Sequence, residues 1–151
     1  MSELNNIILN SLIAIIIGIA IFTMGQISLK FILEPIHEQK KTVGEIADSL
    51  IYYANVYTNL YKYPGKYSQE IIDEASNKFR QQAASLEIKT NQIPFYKKLF
   101  SLNILISKKE IELASTCLIC LSNEIKIYGE KCGDWADKVK TLLNICHTEE
   151  D

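Results

Sequence analysis

The stretch NNIILNSLIAIIIGIAIFTMGQISLK, from Asn5 to Lys30, decides the fold of this 151-residue chain. The 23 residues from Ile7 to Leu29 carry no charge. At a rise of about 1.5 Å per residue, a helix of this length covers roughly 34 Å, and the hydrocarbon core of a bilayer is about 30 Å thick. The segment is too long for the apolar part of a signal peptide, lacks a basic residue before it and offers no clean cleavage site. We therefore expect an uncleaved transmembrane helix.

The lysines next to this helix predict its orientation. Lys30, Lys40 and Lys41 follow it, and no lysine or arginine precedes it. The positive-inside rule then places the N-terminus outside and the rest of the chain in the cytoplasm. We predict a transmembrane helix with its flanks over 1–34, a cytoplasmic helical bundle over 35–146 and an acidic tail over 147–151. The connection KFILEPIHEQ is too short for a flexible tether, so the bundle should lie close to the membrane.

Small and polar residues in the span are the candidates for assembly. At about 100° per residue, one arc of about 60° holds Ser11, Ala14, Gly18 and Gly25. Such faces let helix backbones approach each other in lipid, which favours association of several copies. The alternative is that small residues are simply tolerated in the span. Thr23, Gln26 and Ser28 add polar groups near the cytoplasmic end, and polar groups at this depth usually face protein or water. If the spans enclose a pore, Asn5, Asn6, Asn10 and Gln26 could supply its polar lining.

The cytoplasmic part shows helical periodicity throughout, which predicts an all-α fold with a bundle of about four to five helices. Neither strand patterns nor internal repeats are evident in the sequence. One helix is predicted over 36–61 after Pro35, and a second begins after the N-cap Ser68 and ends before Pro94. The short segment PFYKKLF follows as a third helix. A fourth helix runs from the capping box Ser107–Glu110 to a stop at Gly129, and a last helix begins at about Asp134.

The charges of the chain exclude one class of partner. It carries 16 Lys and Arg against 18 Asp and Glu, with a net charge of −2. The signs are interspersed and no basic stripe stands out, so we expect no nucleic acid as a partner. Expected partners are membrane lipid, other copies of the chain and a cytoplasmic protein.

Four cysteines raise the question of a metal site. Cys117 and Cys120 share a helix face, and with Cys132 and either Cys146 or His147 they could supply four zinc ligands. However, the pair lies in the middle of a predicted helix rather than in a zinc knuckle. Buried cysteines acting as small apolar residues are the simpler interpretation. In the cytoplasm they need not form disulfides. We predict no metal and no cofactor.

The remaining candidate residues form no catalytic constellation. His37 and His147 have no serine or cysteine partner in a recognisable arrangement. Arg80, the only arginine, is expected to form a structural ion pair with a carboxylate of another helix. The tyrosines of segment 51–63 are expected in the core and in interfaces. We therefore predict that the chain is not an enzyme.

Three segments resemble known families: KFILEPIHEQKKTVGEIADSLIYYANVYTN, FRQQAASLEIKTNQIPFYKKL and ASTCLICLSN. They are similar to a family of small bacterial single-pass membrane proteins without an assigned activity. More remotely, the layout resembles the membrane accessory protein of type VI CRISPR systems, which joins one span to a HEPN-like helical domain. That resemblance implies a ring-shaped membrane pore. HEPN ribonucleases carry a histidine shortly after an arginine, whereas Arg80 has no histidine after it until His147.

Three functions remain open on this basis. The first is a homo-oligomeric membrane protein, with a pore that could permeabilise the membrane in defence against phage. The second is a membrane-anchored adaptor that binds a cytoplasmic partner through its bundle. The third, a membrane-tethered nuclease or metal enzyme, has the least support from the residues.

Overall fold

The N-terminal third of the chain forms one continuous helical rod. The computed structural model describes residues 2–63 and 65–145. Helix α1 (Ser2–Ser28) passes into a π-helical segment (Leu29–Leu33) and then into α2 (Glu34–Tyr52) without leaving helical backbone angles. The boundary predicted between residues 34 and 35 therefore falls inside a helix.

Pro35 does not begin a separate helix, as the sequence had suggested, because the preceding turn is widened. In a regular α-helix, a proline ring clashes with the carbonyl of the fourth residue before it. Here the N–H of Glu34 donates to the carbonyl of Leu29, five residues back, as in a π-helix. We attribute the tolerance of Pro35 inside the rod to the room that this wider turn provides.

The rest of the described chain is a helical bundle, which confirms the predicted fold class. The rod is followed by α3 (Ala54–Asn59), α4 (Gln69–Asn91), α5 (Tyr96–Ser101), α6 (Lys108–Lys126) and α7 (Cys132–Leu142). Helix α4 lies between α2 and α6, and α7 packs against the other side of α6. Together with α2 these make six helices in the described bundle.

The additional helix arises from a break at Tyr53, inside the segment 36–61 that the sequence predicted as continuous. Tyr53 has φ −91° and ψ 9°, outside the helical region. The hydroxyl of Tyr57 donates to the carbonyl of Leu50 at 2.9 Å, which satisfies an acceptor in the last turn of α2. The rings of Tyr53 and Tyr57 both pack edge-on against Phe79 of α4. The break at Tyr53 lets both tyrosines pack against the Phe79 ring, and their burial there stabilises the interrupted helix.

Two predicted helix starts are confirmed, and one predicted stop works differently. The side chain of Ser68 accepts from Ile71, and Ser107 forms a full capping box with Glu110. At the end of α6, however, Tyr128 rather than Gly129 takes the left-handed conformation, with φ 56°. The N–H of Gly129 donates to the carbonyl of Glu124 at 2.8 Å, so Gly129 occupies the following position of the capping motif.

The core is centred where α4 meets α6, and small side chains let these helices approach closely. Ser76 donates to the carbonyl of Ser122 at 2.9 Å, and Ser115 donates to the carbonyl of Ala83 at 2.7 Å. All three serines are fully buried. Their hydroxyl groups are satisfied inside the core, so they add no unpaired polar group to it.

Candidate membrane span and its junction with the bundle

The residues of helix α1 from 5 to 28 are all exposed. Helix α1 begins the one described helix that is long and apolar enough to cross a membrane, with a mean hydropathy of 2.6 in its most apolar window. None of that window is buried inside the protein. A helix with so much apolar surface needs an apolar environment outside the bundle, and lipid or other copies of the chain can supply it.

The predicted small-residue face of α1 is uncovered. A methyl group added at Gly18 or Gly25 would meet nothing within 4 Å. Ser11 and Ala14 lie on the same side of the continuous helix, and the hydroxyl of Ser11 donates to the carbonyl of Ile7 at 2.9 Å. Its polar group is therefore satisfied within the helix, and this side of α1 presents a shallow, open surface.

The four predicted lining residues do not share one side of α1. Asn6 and Asn10 lie about 40° apart around the axis, whereas Asn10 and Gln26 lie about 160° apart. Asn5 lies about 60° from Gln26 and about 100° from Asn6 around the axis. Asn5, Asn6 and Asn10 are near the N-terminal end of the helix and Gln26 is near the other end. Because α1 is unbroken, Asn10 and Gln26 do not face the same lumen.

A shallow groove lies along the rod where α1 meets α2. It is lined by Gln26, Leu29, Lys30, Leu33, Glu34 and His37. His37 is exposed here and has no serine or cysteine partner in the described residues. The groove therefore extends from Gln26 near the end of the span to Lys30 and Glu34, the first charged residues after it.

A buried polar seam joins α2 to α4 and holds the rod to the bundle. The side-chain amide of Gln39 donates to the hydroxyl of Thr90 at 2.8 Å and to the hydroxyl of Tyr96 at 3.3 Å. Farther along, the amide of Gln82 donates to the carbonyl of Glu45 and to the hydroxyl of Ser49. These bonds fix the register of α2 against α4.

Tyr96 extends this seam to the segment between α4 and α6. Its hydroxyl donates to the carbonyl of Ile106 at 2.7 Å, and burial raises the pKa of this phenol. At the edge of the seam, Lys89 forms an ion pair with Glu38 at 3.2 Å. The hydrogen bond from Lys89 lowers the pKa of Glu38. The seam thus links three elements close to the point where the rod enters the bundle.

Arg80 has a different partner from the predicted carboxylate. Its guanidinium donates to the amide oxygen of Asn123 on α6. No ion pair of Arg80 occurs among the described residues. The position of Arg80 between two helices suits a structural contact, but the contact is a neutral hydrogen bond.

Three of the four cysteines fall in the described part of the chain, where Cys117 and Cys132 are buried in the core and Cys120 is half-buried. Burial raises the pKa of Cys117 and raises that of Cys132 to about 11, which disfavours the thiolate that binds metals. Among the described residues, no three acidic, histidine or cysteine side chains are placed to hold a metal ion. Cys146 and His147, with the predicted tail, lie outside the described residues.

Sequence reasoning missed the polar seam and the buried serines. Nothing in the sequence singled out Gln39, Ser49, Gln82 and Thr90 for burial, since polar residues are mostly exposed. Spacing held a usable signal for the serines, since Ser115 and Ser122 are seven residues apart and therefore share a helix face. Apart from Pro35, nothing in the sequence indicated the π-helical turn.

The chain matches no family model, no curated protein and no solved structure. Both resemblances described above therefore stay predictions.

Proposed function

We propose that the chain is a homo-oligomeric single-pass membrane protein of the bacterial plasma membrane. Its spans associate through Ser11, Ala14, Gly18 and Gly25, the N-terminus faces out, and the bundles form a collar on the cytoplasmic side. The observation that carries the proposal is that α1 leaves the bundle with its surface exposed, including the open positions at Gly18 and Gly25. In lipid, such a face allows the backbones of two helices to approach closely.

The continuous rod supports a coupled movement of span and bundle. α1, the π-helical turn and α2 follow each other without a flexible link. Gln39 and Gln82 hold α2 to α4 through hydrogen bonds. A tilt or rotation of the span in an assembly would therefore be transmitted to the bundle.

We further propose that the assembled spans enclose a pore that serves phage defence by permeabilising the membrane. The support is the resemblance to the accessory protein of type VI CRISPR systems, together with the amide side chains of Asn6 and Asn10, which share one side of α1. Asn6 and Asn10 would line the outer mouth, whereas Asn5 and Gln26 lie on other sides of the helix. The proposal assigns no catalytic step to the bundle.

A pair of variants tests the assembly face. Gly18→Leu combined with Gly25→Leu fills that face, whereas Ala20→Leu adds a leucine side chain on the opposite side of α1. Sedimentation equilibrium in density-matched detergent would show the first variant as a monomer and Ala20→Leu as an oligomer like the wild type. An unchanged oligomer in the double glycine variant would refute association through this face.

A second function, a membrane-anchored adaptor, is favoured by apolar side chains at the end of the bundle away from α1. Ile51 and Tyr52 at the end of α2 are 71% and 75% exposed. Tyr61 and Tyr63, in the following turns, are also exposed. Large exposed apolar side chains that cluster are typical of protein interaction sites.

A binding experiment separates the adaptor from the self-assembling protein. The adaptor requires a monomeric purified chain and a stoichiometric cytoplasmic partner. Ile51→Glu with Tyr52→Glu should release that partner, whereas the matched pair Leu113→Glu with Ile119→Glu, at exposed positions of α6, should retain it. An oligomer whose composition is the chain alone would contradict the adaptor.

A further inference from the structure

The segment between α4 and α6 carries a group of exposed apolar side chains. We call residues 92–107, which include α5, the proximal segment. Phe95 and Leu102 are 68% and 67% exposed, and Phe100 and Ile104 are also exposed. Phe95 has φ 52°, which is unusual for a bulky residue, and Asn103 at the other end of α5 has φ 56°. The backbone is therefore fixed at both ends of α5 in a conformation that leaves these side chains uncovered.

Contacts with the rod place the proximal segment beside the end of the span. Tyr96, Ile93 and Leu105 form a small buried cluster with Ile36, against which Ile32 and Leu99 pack. Ile32 is only three residues beyond Leu29, the last residue of the uncharged stretch. Ile36 is seven residues beyond it, which corresponds to about 10 Å along a helix. The headgroup layer of a bilayer extends about 5–8 Å beyond the hydrocarbon core, so Ile32, about 4.5 Å beyond Leu29, lies within it and Ile36 lies just outside it. The side of the proximal segment that is next to Ile32 therefore lies at the headgroup level.

The charges of this region suit an anionic surface. Five lysines and no acidic residue occur between residues 88 and 109, namely Lys89, Lys97, Lys98, Lys108 and Lys109. Lys98 lies 5.8 Å from the centre of the Phe95 ring, and Lys108 lies 5.2 Å from that of Tyr96. Lysines next to exposed aromatic and aliphatic side chains are typical of segments that rest in the membrane interface. Anionic lipids of the cytoplasmic leaflet attract such lysines.

We propose that the proximal segment is a second membrane contact, with Phe95, Phe100 and Leu102 in the interfacial layer and Lys97 and Lys98 at anionic headgroups. This rests on the proposed insertion of α1, which brings the segment to the bilayer. The contact fixes the tilt of the bundle relative to the membrane. It also distinguishes this end of the bundle from the far end, where Ile51 and Tyr52 are exposed at a distance from lipid.

Fluorescence quenching by brominated lipid tests the contact in the full chain. Trp135, the only tryptophan, is replaced by phenylalanine to remove its signal. The indole N–H of Trp135 has no hydrogen-bond partner in the structure, so this change breaks no bond. Leu102→Trp then reports on the proximal segment, and Tyr63→Trp, at a position 57% exposed at the far end, is the matched control. Both variants are reconstituted in vesicles of phosphatidylcholine and phosphatidylglycerol, with bromine on the acyl chain close to the headgroup.

The tryptophan at position 102 should lose roughly half of its emission to the brominated lipid, because interfacial side chains reach the acyl boundary. The tryptophan at position 63 should lose none. Equal, weak quenching at both positions would overturn the contact. A blue-shifted but unquenched signal at position 102 would assign the surface to another copy of the chain and also overturn it.

Extraction with alkaline carbonate separates this outcome from a failure of the span. If the protein resists extraction but position 102 is not quenched, only the second contact is refuted. If carbonate removes the protein from the membrane, the insertion of α1 is refuted, and with it the basis of the contact.

Discussion

Replacing Tyr96 by phenylalanine removes a hydroxyl group that joins three elements at the base of the rod. The hydroxyl donates to the carbonyl of Ile106 at 2.7 Å and accepts from the amide of Gln39 at 3.3 Å. Its loss leaves the part-buried carbonyl of Ile106 without this donor, while the ring can stay in the cluster around Ile36. At about 0.5–1.5 kcal/mol for each hydrogen bond, we expect a loss of about 1–3 kcal/mol in the free energy of unfolding of the bundle.

Urea unfolding of the full chain in detergent micelles measures this loss, with the fluorescence of Trp135 on α7 as the signal. The matched control is Tyr63→Phe, whose hydroxyl is exposed and has no partner among the described hydrogen bonds. It should change the free energy of unfolding by less than about 0.5 kcal/mol.

A double-mutant cycle tests whether the side chains of Tyr96 and Gln39 interact directly. Gln39→Leu removes the same bond from its other end, so the loss in the double variant should be smaller than the sum of the two single losses. An effect of Tyr96→Phe no larger than that of the control would refute the reasoning. Strict additivity with Gln39→Leu would refute the direct contact between the two side chains.

Two further predictions concern the core and its pH dependence. Phe79→Ala should destabilise the bundle by about 3–5 kcal/mol in the same urea assay, because its fully buried ring packs against two tyrosines; a loss below about 1 kcal/mol would contradict this packing. The free energy of unfolding should fall from about pH 9, because burial raises the pKa of the Cys132 thiol to about 11. The fall should steepen between about pH 10 and pH 12. Burial raises the pKa of Tyr53 from 10.0 to about 12, with a further contribution from its hydrogen bond to Glu74, so the unfolded chain loses this proton first. Tyr53→Phe should flatten the fall, and an unchanged pH profile would contradict the assignment.

The sequence was sufficient to predict the class of fold. The uncharged stretch from Ile7 to Leu29 and the three-and-four periodicity after Pro35 predicted a single apolar helix followed by a helical bundle. The caps at Ser68 and Ser107 were predicted because capping depends on local backbone chemistry. These features rest on interactions between residues close in sequence.

Features that depend on contacts between distant residues were not predictable in this way. The break at Tyr53 depends on Phe79 of another helix. The partner of Arg80 is Asn123, which no periodicity singles out. Burial of Gln39 depends on Thr90 and Tyr96, which approach it only when α4 and α5 pack against the rod.

The candidate site shows the same division. Ser11, Ala14, Gly18 and Gly25 share a face because helix geometry alone determines their directions. The same geometry places the predicted lining residues Asn10 and Gln26 on nearly opposite sides of α1. Their selection as lining residues considered only that both are polar. The position of the proximal segment next to α2 depends on the packing of Ile36 against Tyr96 and Leu105, which are distant from it in sequence.

The central claim, that the chain assembles through its span, is tested most directly by the mass of the full-length protein in mild detergent. Light scattering with the detergent contribution subtracted gives this mass, and one subunit contributes 17.2 kDa. We expect a single species whose protein mass is a defined multiple of that value. A protein mass of one subunit, unchanged over a wide range of concentration, would contradict the account.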